Sequence, residues 1–401
     1  MFSVKTFAAL KHPNYRIWFW GQMISVFGYW VQASAQGFLV YELTGSPAFL
    51  GYVTFFGGLP AWILMLYSGV VADRYSRRKI LIMAQSAMML LALVLAFLTF
   101  SGTVKPWHII LLSFFTGMAN AFDTPARHAF IAEIVPNEDL PNAIALNSVL
   151  FHTGTSLGPA VGGIIYSVWG AAWCFSINAV TFLAVLGALL SMKVTHKTKS
   201  VDKRNLREEV LEGIKYSVRH PQIRLLMAIT MLISCFGISL FTILPAWAVD
   251  ILHGDASTNG FLQTARGVGA LAAALILANL ATSKQRITLF FNSLIIFPCF
   301  LLLLSASTSL ASSIALLFMV GLSSQFIFTL TNSFIQLYVQ PDLRGRVMSI
   351  YLLTFFGFVP FGSLLIGWTT EIYGPAHAIA ITAIIILLAA LTAYPKRKEF
   401  A

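Results

Sequence analysis

The chain has 401 residues, 58% of them hydrophobic and only 10% charged, with a mean hydropathy of +0.79; a soluble globular domain carries about 25% charged residues, so the composition excludes one and specifies an integral membrane protein. Lys and Arg total 26 against 15 Asp and Glu, a formal charge of +11. The basic residues fall in the breaks between apolar runs, with only Lys105 and Arg266 placed away from expected cytoplasmic loops and ends, so the excess is topological rather than a nucleic-acid surface.

Runs such as Ile17–Tyr41 and Leu43–Ala72 are free of charge and apolar throughout. Strands of a membrane barrel would alternate apolar and polar residues over ~10 positions, whereas these runs exceed the ~20 residues that a spanning helix needs. The expected fold is therefore all-α. A basic arm with Lys5, Lys11 and Arg16 precedes the first span, and no cleavable signal pattern is visible in it. The first span is predicted over Ile17–Tyr41 and the second over Phe49–Val71, joined by a loop without a basic residue that is expected outside. The third, Ile80–Phe100, follows a basic turn, and the fourth is predicted over Trp107–Phe122. The run Leu140–Met192 divides near Trp169-Gly170 into a fifth and a sixth span.

A polar stretch, Lys193–Arg224, then interrupts the pattern, and its Arg207–Arg219 part is amphipathic enough to lie along a membrane surface. The second half repeats the plan with spans over Leu225–Val249 and Gly260–Ala281, two within Ile287–Gln340 that divide at Ser305–Ser313, then Val347–Thr370 and His377–Tyr394. Twelve spans with both termini cytoplasmic result, as two six-helix bundles, residues 1–192 and 225–401, around a linker at 193–224. The segments Ile134–Ser148 and Tyr338–Leu352 are similar at an offset of 204, and Gly163 and Gly367 share that offset. Such a parallel six-plus-six repeat is one of the known plans of membrane transporters.

Two motifs carry most of the information. Gly69–Lys79, GVVADRYSRRK, places Gly69, Asp73, Arg74, Arg77 and Arg78 in the turn between the second and third spans. A glycine there permits close helix approach, the acid can cap or pair at a helix end, and the cations hold the turn at an anionic inner leaflet. In the fifth span, Gly154, Gly158 and Gly162 recur every four residues with Pro159 and Gly163 among them. That spacing puts the three glycines on one helix face, where a neighbouring backbone can come close, while Pro159 bends the segment. A lone pair of glycines at this spacing would be ordinary helix-packing grammar.

Together these motifs resemble the loop signature and the antiporter signature of the major facilitator superfamily, in the helices where that superfamily has them. Asn14–Gln32, Val40–Ser46, Asn120–Phe130 and Leu343–Tyr351 further resemble the branch of bacterial exporters that includes enterobactin-type siderophore exporters and macrolide-efflux permeases. The resemblance implies a pseudo-twofold fold of two bundles, a conformational latch at Asp73 and its neighbouring arginines, and an exporter rather than an importer. It further implies a cavity lined by the first, fourth, seventh and tenth spans. In many proton-coupled exporters of the superfamily an arginine precedes a glycine by four residues in the fourth span; here Ser113 stands before Gly117, so that proton relay does not carry over.

Ionisable side chains within spans are costly and mark function by default. Asp123, close to Arg127 and His128, reads either as a structural ion pair or as a proton site. His152 reads either as a proton carrier, since an unperturbed imidazole titrates near pH ~6.5, or as a hydrogen-bonded packing residue. Arg266 reads either as a structural salt bridge or as an anchor for an anionic group. Gln32, Gln36, Asn120, Gln325 and Asn332, interleaved with Phe27, Tyr29, Trp30 and Phe328, make a mixed amide and aromatic surface suited to a bulky amphipathic ligand. The expectation is a monomeric secondary transporter of the bacterial inner membrane that exports such a compound, siderophore-like in the first reading and a drug or macrolide in the second, in exchange for protons. A membrane-embedded transferase is the remote alternative. The three cysteines, Cys174, Cys235 and Cys299, lie in apolar runs without metal spacing, and no GxxxxGK[ST] phosphate loop is present, so neither a metal nor a cofactor is expected.

Overall fold

The computed structural model describes residues 4–192, 206–279 and 282–400, and within these the side chain of Asp73 lies outside the described residues. The first part of the expected linker, residues 193–205, lies outside them too. Helix is the only regular secondary structure among the described residues, because a backbone in hydrocarbon must pair its N–H and C=O groups internally and a helix does so within one segment.

Helices α1 (Pro13–Thr44), α2 (Pro47–Arg74) and α3 (Arg77–Phe100) match the first three predicted spans, each beginning a few residues earlier than its apolar run. Proline at the first position of α1, α2 and α4 costs nothing, since that N–H has no partner within a helix anyway. The fourth span departs from expectation: α4 runs Pro106–Ile134, well beyond Phe122. Pro125 lies inside it, because Ala126, Phe130, Ile131 and Ile134 continue one buried face across the proline. Asp123, Arg127 and His128 are therefore helical residues and not loop residues. Helices α5 (Leu140–Trp169) and α6 (Ala171–Ser191) form the expected hairpin, turning at Gly170 with φ +89°.

After α7 (Leu206–Arg219), α8 runs regularly over Pro221–Leu232 and continues to Ile251 in π and 3-10 turns with one short α-helical turn, Leu244–Ala246. Pro245 lies in that stretch and cannot donate to the helix ladder. Helices α9 (Ala256–Ala278), α10 (Ser283–Ser305) and α11 (Leu310–Tyr338) follow. The helical run α12, Arg344–Ala393, is broken at Gly374, φ +79°, between the last two predicted spans. Eight stretches of the described residues are long and apolar enough to cross a membrane, the last holding both halves of α12. With the more polar α1, α4 and α5 this is consistent with the expected twelve.

The chain forms two compact units, Met1–Thr44 with Phe56–Val201, and Gly45–Phe55 with Asp202–Ala401. In the first, α1 packs on α5 and α6, and α3 on α4 and α6, around Trp18, Leu81, Met88, Phe130 and Phe182. The N-terminal arm is tied to α5: Ala9 N donates to Asn142 Oδ1 at 2.9 Å, His12 Nε2 meets Asp139 Oδ2 at 2.8 Å, and Tyr15 donates to the Ala143 carbonyl at 2.9 Å. In the second unit α10 packs on α11 and α12, α9 on α11, and α7 on α12, around Trp247, Phe290, Phe291 and Phe297. Glu212 of α7 is ion-paired with Arg346.

Gly45–Phe55 is where this partition leaves the sequence-based division at residue 192. The start of α2 has orphan N–H groups, and Glu371 accepts from Ala48 N at 3.2 Å and from Ser46 Oγ at 2.6 Å. Gly51 lies so close to the Ser363 carbonyl that a Cβ there would stand 2.6 Å from its oxygen.

Candidate functional site

The basic turn between α2 and α3 is anchored inside the first unit. Arg77 Nη1 pairs with Glu133 Oε1 of α4 at 2.6 Å, and its Nε donates to the Ala72 carbonyl at 3.3 Å. Arg78 donates to the carbonyls of Leu189 and Leu190, at 2.6 and 2.9 Å. These are among the last carbonyls of α6, which have no partner within their helix and carry the negative end of its dipole. Arg74 and Lys79 are exposed and make no hydrogen bond or ion pair among the described residues. A Cβ on Gly69 would meet nothing within 4 Å, so the close helix approach expected at that glycine is absent in this structure.

The glycine face of α5 does meet a neighbour. A Cβ at Gly154 would stand 2.8 Å from Trp30 Cδ1 and Val26 Cγ1, one at Gly158 2.5 Å from Trp30 Cβ, and one at Gly162 2.7 Å from the Val31 carbonyl oxygen. The three glycines therefore admit α1, with Pro159 and Gly163 buried beside them. His152, one turn before, is half-buried and its ring makes an edge contact with Phe151, centroids 6.0 Å apart. The imidazole makes no hydrogen bond among the described residues.

Asp123 is fully buried, accepting from Gln85 Nε2 at 2.7 Å and from Arg127 Nη2 at 2.5 Å. Gln85, on α3, was not legible as its partner, since a lone amide in an apolar run carries no signal of what faces it. Two of the expected cavity amides are bonded to other helices: Gln32 Oε1 accepts from Asn178 Nδ2 of α6 at 2.7 Å, and Gln36 Nε2 donates to Ser113 Oγ of α4 at 2.8 Å. Gln325 and Asn332 bond within α11, to Thr329 and Gln336. Asn120 is half-buried without a hydrogen bond among the described residues.

Arg266 is the most unusual side chain of the second unit. Its Nε is buried with no hydrogen-bond partner, and its Cζ stands 4.3 Å over the ring centre of Phe241. Phe241 lies in the irregular continuation of α8, and irregular turns of this kind concentrate at functional sites. No ion pair accompanies Arg266 among the described residues. The aromatic face offsets part of the cost of burying the cation.

A helical chain with these spans, a glycine-lined helix contact and, in one span, a half-buried arginine with no ion pair among the described residues has the make-up of a multi-pass membrane transporter. The chain belongs to the transmembrane secretion effector family of the major facilitator superfamily, whose model matches residues 4–398. It is 27% identical to the staphyloferrin A transporter of Staphylococcus aureus over 89% of each chain. It is 25% identical to macrolide efflux protein A of Streptococcus pyogenes over 95% of this chain and 96% of that one. A third relative, the enterobactin exporter of Shigella boydii, is 24% identical over 68% and 65%. Among solved structures, a bacterial homologue of the human lysosomal transporter Spinster superposes with a TM-score of 0.74 at 11% identity, covering 100% and 98%. The nucleoside transporter NupG does so at 0.71 and 14%, covering 96% or more of both; at such identities the likeness concerns the fold alone. The family and these relatives are transporters of small molecules and not enzymes.

Proposed function

We propose that this protein exports a medium-sized, amphipathic, acidic metabolite of the siderophore type across the bacterial inner membrane. The observation that carries the reading is Arg266: a guanidinium held in a span over Phe241 with an unpaired Nε is stabilised by an anionic group on the ligand. Relatives named for staphyloferrin A and enterobactin support the same substrate class. Macrolide efflux is the second reading, supported by a relative that aligns over nearly the whole chain. Transport proceeds by alternating access of two six-helix bundles, residues 1–192 and 225–401, with Gly69, Asp73, Arg74, Arg77 and Arg78 as the latch. The protein works as a monomer with both termini in the cytoplasm. Gln32, Gln36, Asn120, Gln325 and Asn332 contribute polar positions to the cavity. Proton antiport drives export, with Asp123 and His152 as the candidate carriers and the glycine face of α5 as the packing feature that resembles antiporters.

The test is ligand-induced thermal stabilisation across catecholate and carboxylate siderophores, macrolides and lipophilic cations, since a ligand stabilises the fold according to its excess over Kd. A shift selective for siderophores that is lost in Arg266→Ala supports the reading. Shifts with macrolides that Arg266→Ala leaves intact sink it in favour of the second. Coupling is tested in inverted vesicles: transport indifferent to collapse of the proton gradient overturns the antiport proposal.

A further inference from the structure

We infer that the groove formed by the basic end of α2, α3 and α4 is a binding site for one anionic phospholipid, separate from the path of the transported compound. The groove measures about 1050 Å³. At one end it is lined by Arg74, Tyr75, Ser76 and Lys79, two cations and two hydroxyls, and no carboxylate is among the described residues that line it. Beyond them it is walled by apolar side chains, among which Met83, Leu90 and Phe115 are 73%, 58% and 44% exposed. In a chain that spans a membrane these outward faces meet lipid and not water.

The four basic residues of the turn divide by task. Arg77 and Arg78 are bonded to Glu133 and to the end of α6, whereas Arg74 and Lys79 lack a partner among the described residues and both border the groove. A phosphodiester is the group that two such cations and adjacent hydroxyls satisfy together. The apolar wall has the depth of an acyl chain in one leaflet. From Lys79 to Leu90 along α3 the rise is roughly 16 Å at ~1.5 Å per residue, against about 15 Å for half the hydrocarbon core. A soluble phosphate or a small organic anion would fill only the basic end and leave the wall unmatched, so the geometry favours a lipid. With two cations and no acid among the described lining residues, the site discriminates for a net negative headgroup over a zwitterionic one.

The test is native mass spectrometry of the purified full-length protein equilibrated with equal phosphatidylglycerol and phosphatidylethanolamine in mixed micelles. One phosphatidylglycerol is expected to be retained in preference, and the double variant Arg74→Gln/Lys79→Gln should weaken that retention by at least about tenfold, as loss of desolvated charge contacts does. Lys105→Gln, at the opposite end of α3 and α4, should leave it unchanged. Ala87→Trp keeps both cations but blocks the wall, and it too should abolish retention; the unchanged thermal midpoint of each variant certifies its fold. Equal retention of the two lipids, undiminished retention in the double variant, or displacement by millimolar inorganic phosphate would each overturn the proposal. Failure of the siderophore panel leaves this result untouched, because no transported ligand enters the measurement.

Discussion

At the scale of single residues, what distinguishes the titratable side chains within spans is whether their partners are present. Asp123 has two donors, Gln85 and Arg127, so its negative charge is matched inside the first unit. Removing one donor leaves an oxygen of a buried carboxylate unsatisfied. Gln85→Leu is therefore expected to cost about 1–3 kcal/mol and to lower the thermal midpoint in detergent; an unchanged midpoint would show that Asp123 does not rely on Gln85. His152, by contrast, has no hydrogen bond to its ring among the described residues. If it is the proton carrier, His152→Gln keeps ligand-induced stabilisation but uncouples export from the proton gradient, and gradient-driven export at the original rate would reassign the role. The identities Asp123, His152 and Arg266 were legible as candidates because charge in an apolar run is conspicuous. Their partners were not, since Gln85 and Phe241 are ordinary residues on other helices whose significance depends on contact. For the same reason the bonds that Gln32 and Gln36 make to Asn178 and Ser113 were not legible.

At the scale of elements, glycine governs two different things. On α5 it sets how near α1 can lie: Gly158→Leu would place its side chain against Trp30, and overpacking of this kind costs about 1–3 kcal/mol, read as a drop in thermal midpoint. In α12 the glycine sets a backbone angle. Gly374 has φ +79° and ψ 164°, a region that residues with a Cβ occupy only with strain, so Gly374→Ala is expected to destabilise by about 1–3 kcal/mol. Gly345 lies in the same helical run with open space around its Cβ position. There Ala should stabilise by up to about 1 kcal/mol through helix propensity. Opposite signs for the two substitutions separate backbone conformation from packing; equal signs would mean that the break at Gly374 is not conformationally required. Element ends were the least legible feature. The fourth span was expected to end at Phe122, but the buried face from Ala126 to Ile134 continues the helix past Pro125.

At the scale of the whole molecule, the charge distribution makes a topological prediction. If the basic turn of α2–α3 is cytoplasmic, single cysteines introduced at His12, Glu138 and Lys398 in a cysteine-free background should all react with an impermeant thiol reagent from the cytoplasmic face. One at Gly102 should react only from the opposite face. Mixed reactivity at His12 and Lys398 would overturn an even number of spans. There are two cores, one around Trp18 and Phe130 in the first unit and the other around Phe290 and Phe297 in the second. Gly45–Phe55 is held within the second unit by Glu371 and by the glycine contact with Ser363.

The sequence by itself determined that the protein is helical, membrane-embedded and built on the transporter plan. Hydrocarbon imposes spanning length and internal hydrogen bonding on every segment, and basic residues mark the loops, so both constraints are written locally in composition. Tertiary structure alone decided which charges are satisfied. It paired Arg77 with Glu133, buried Asp123 between Gln85 and Arg127, set Arg266 over Phe241 with no anion beside it among the described residues, and placed Arg74 and Lys79 at the border of a groove. The physical reason is range: spanning is a property of one helix, whereas the state of a charge depends on the residues that other helices bring within about 4 Å of it.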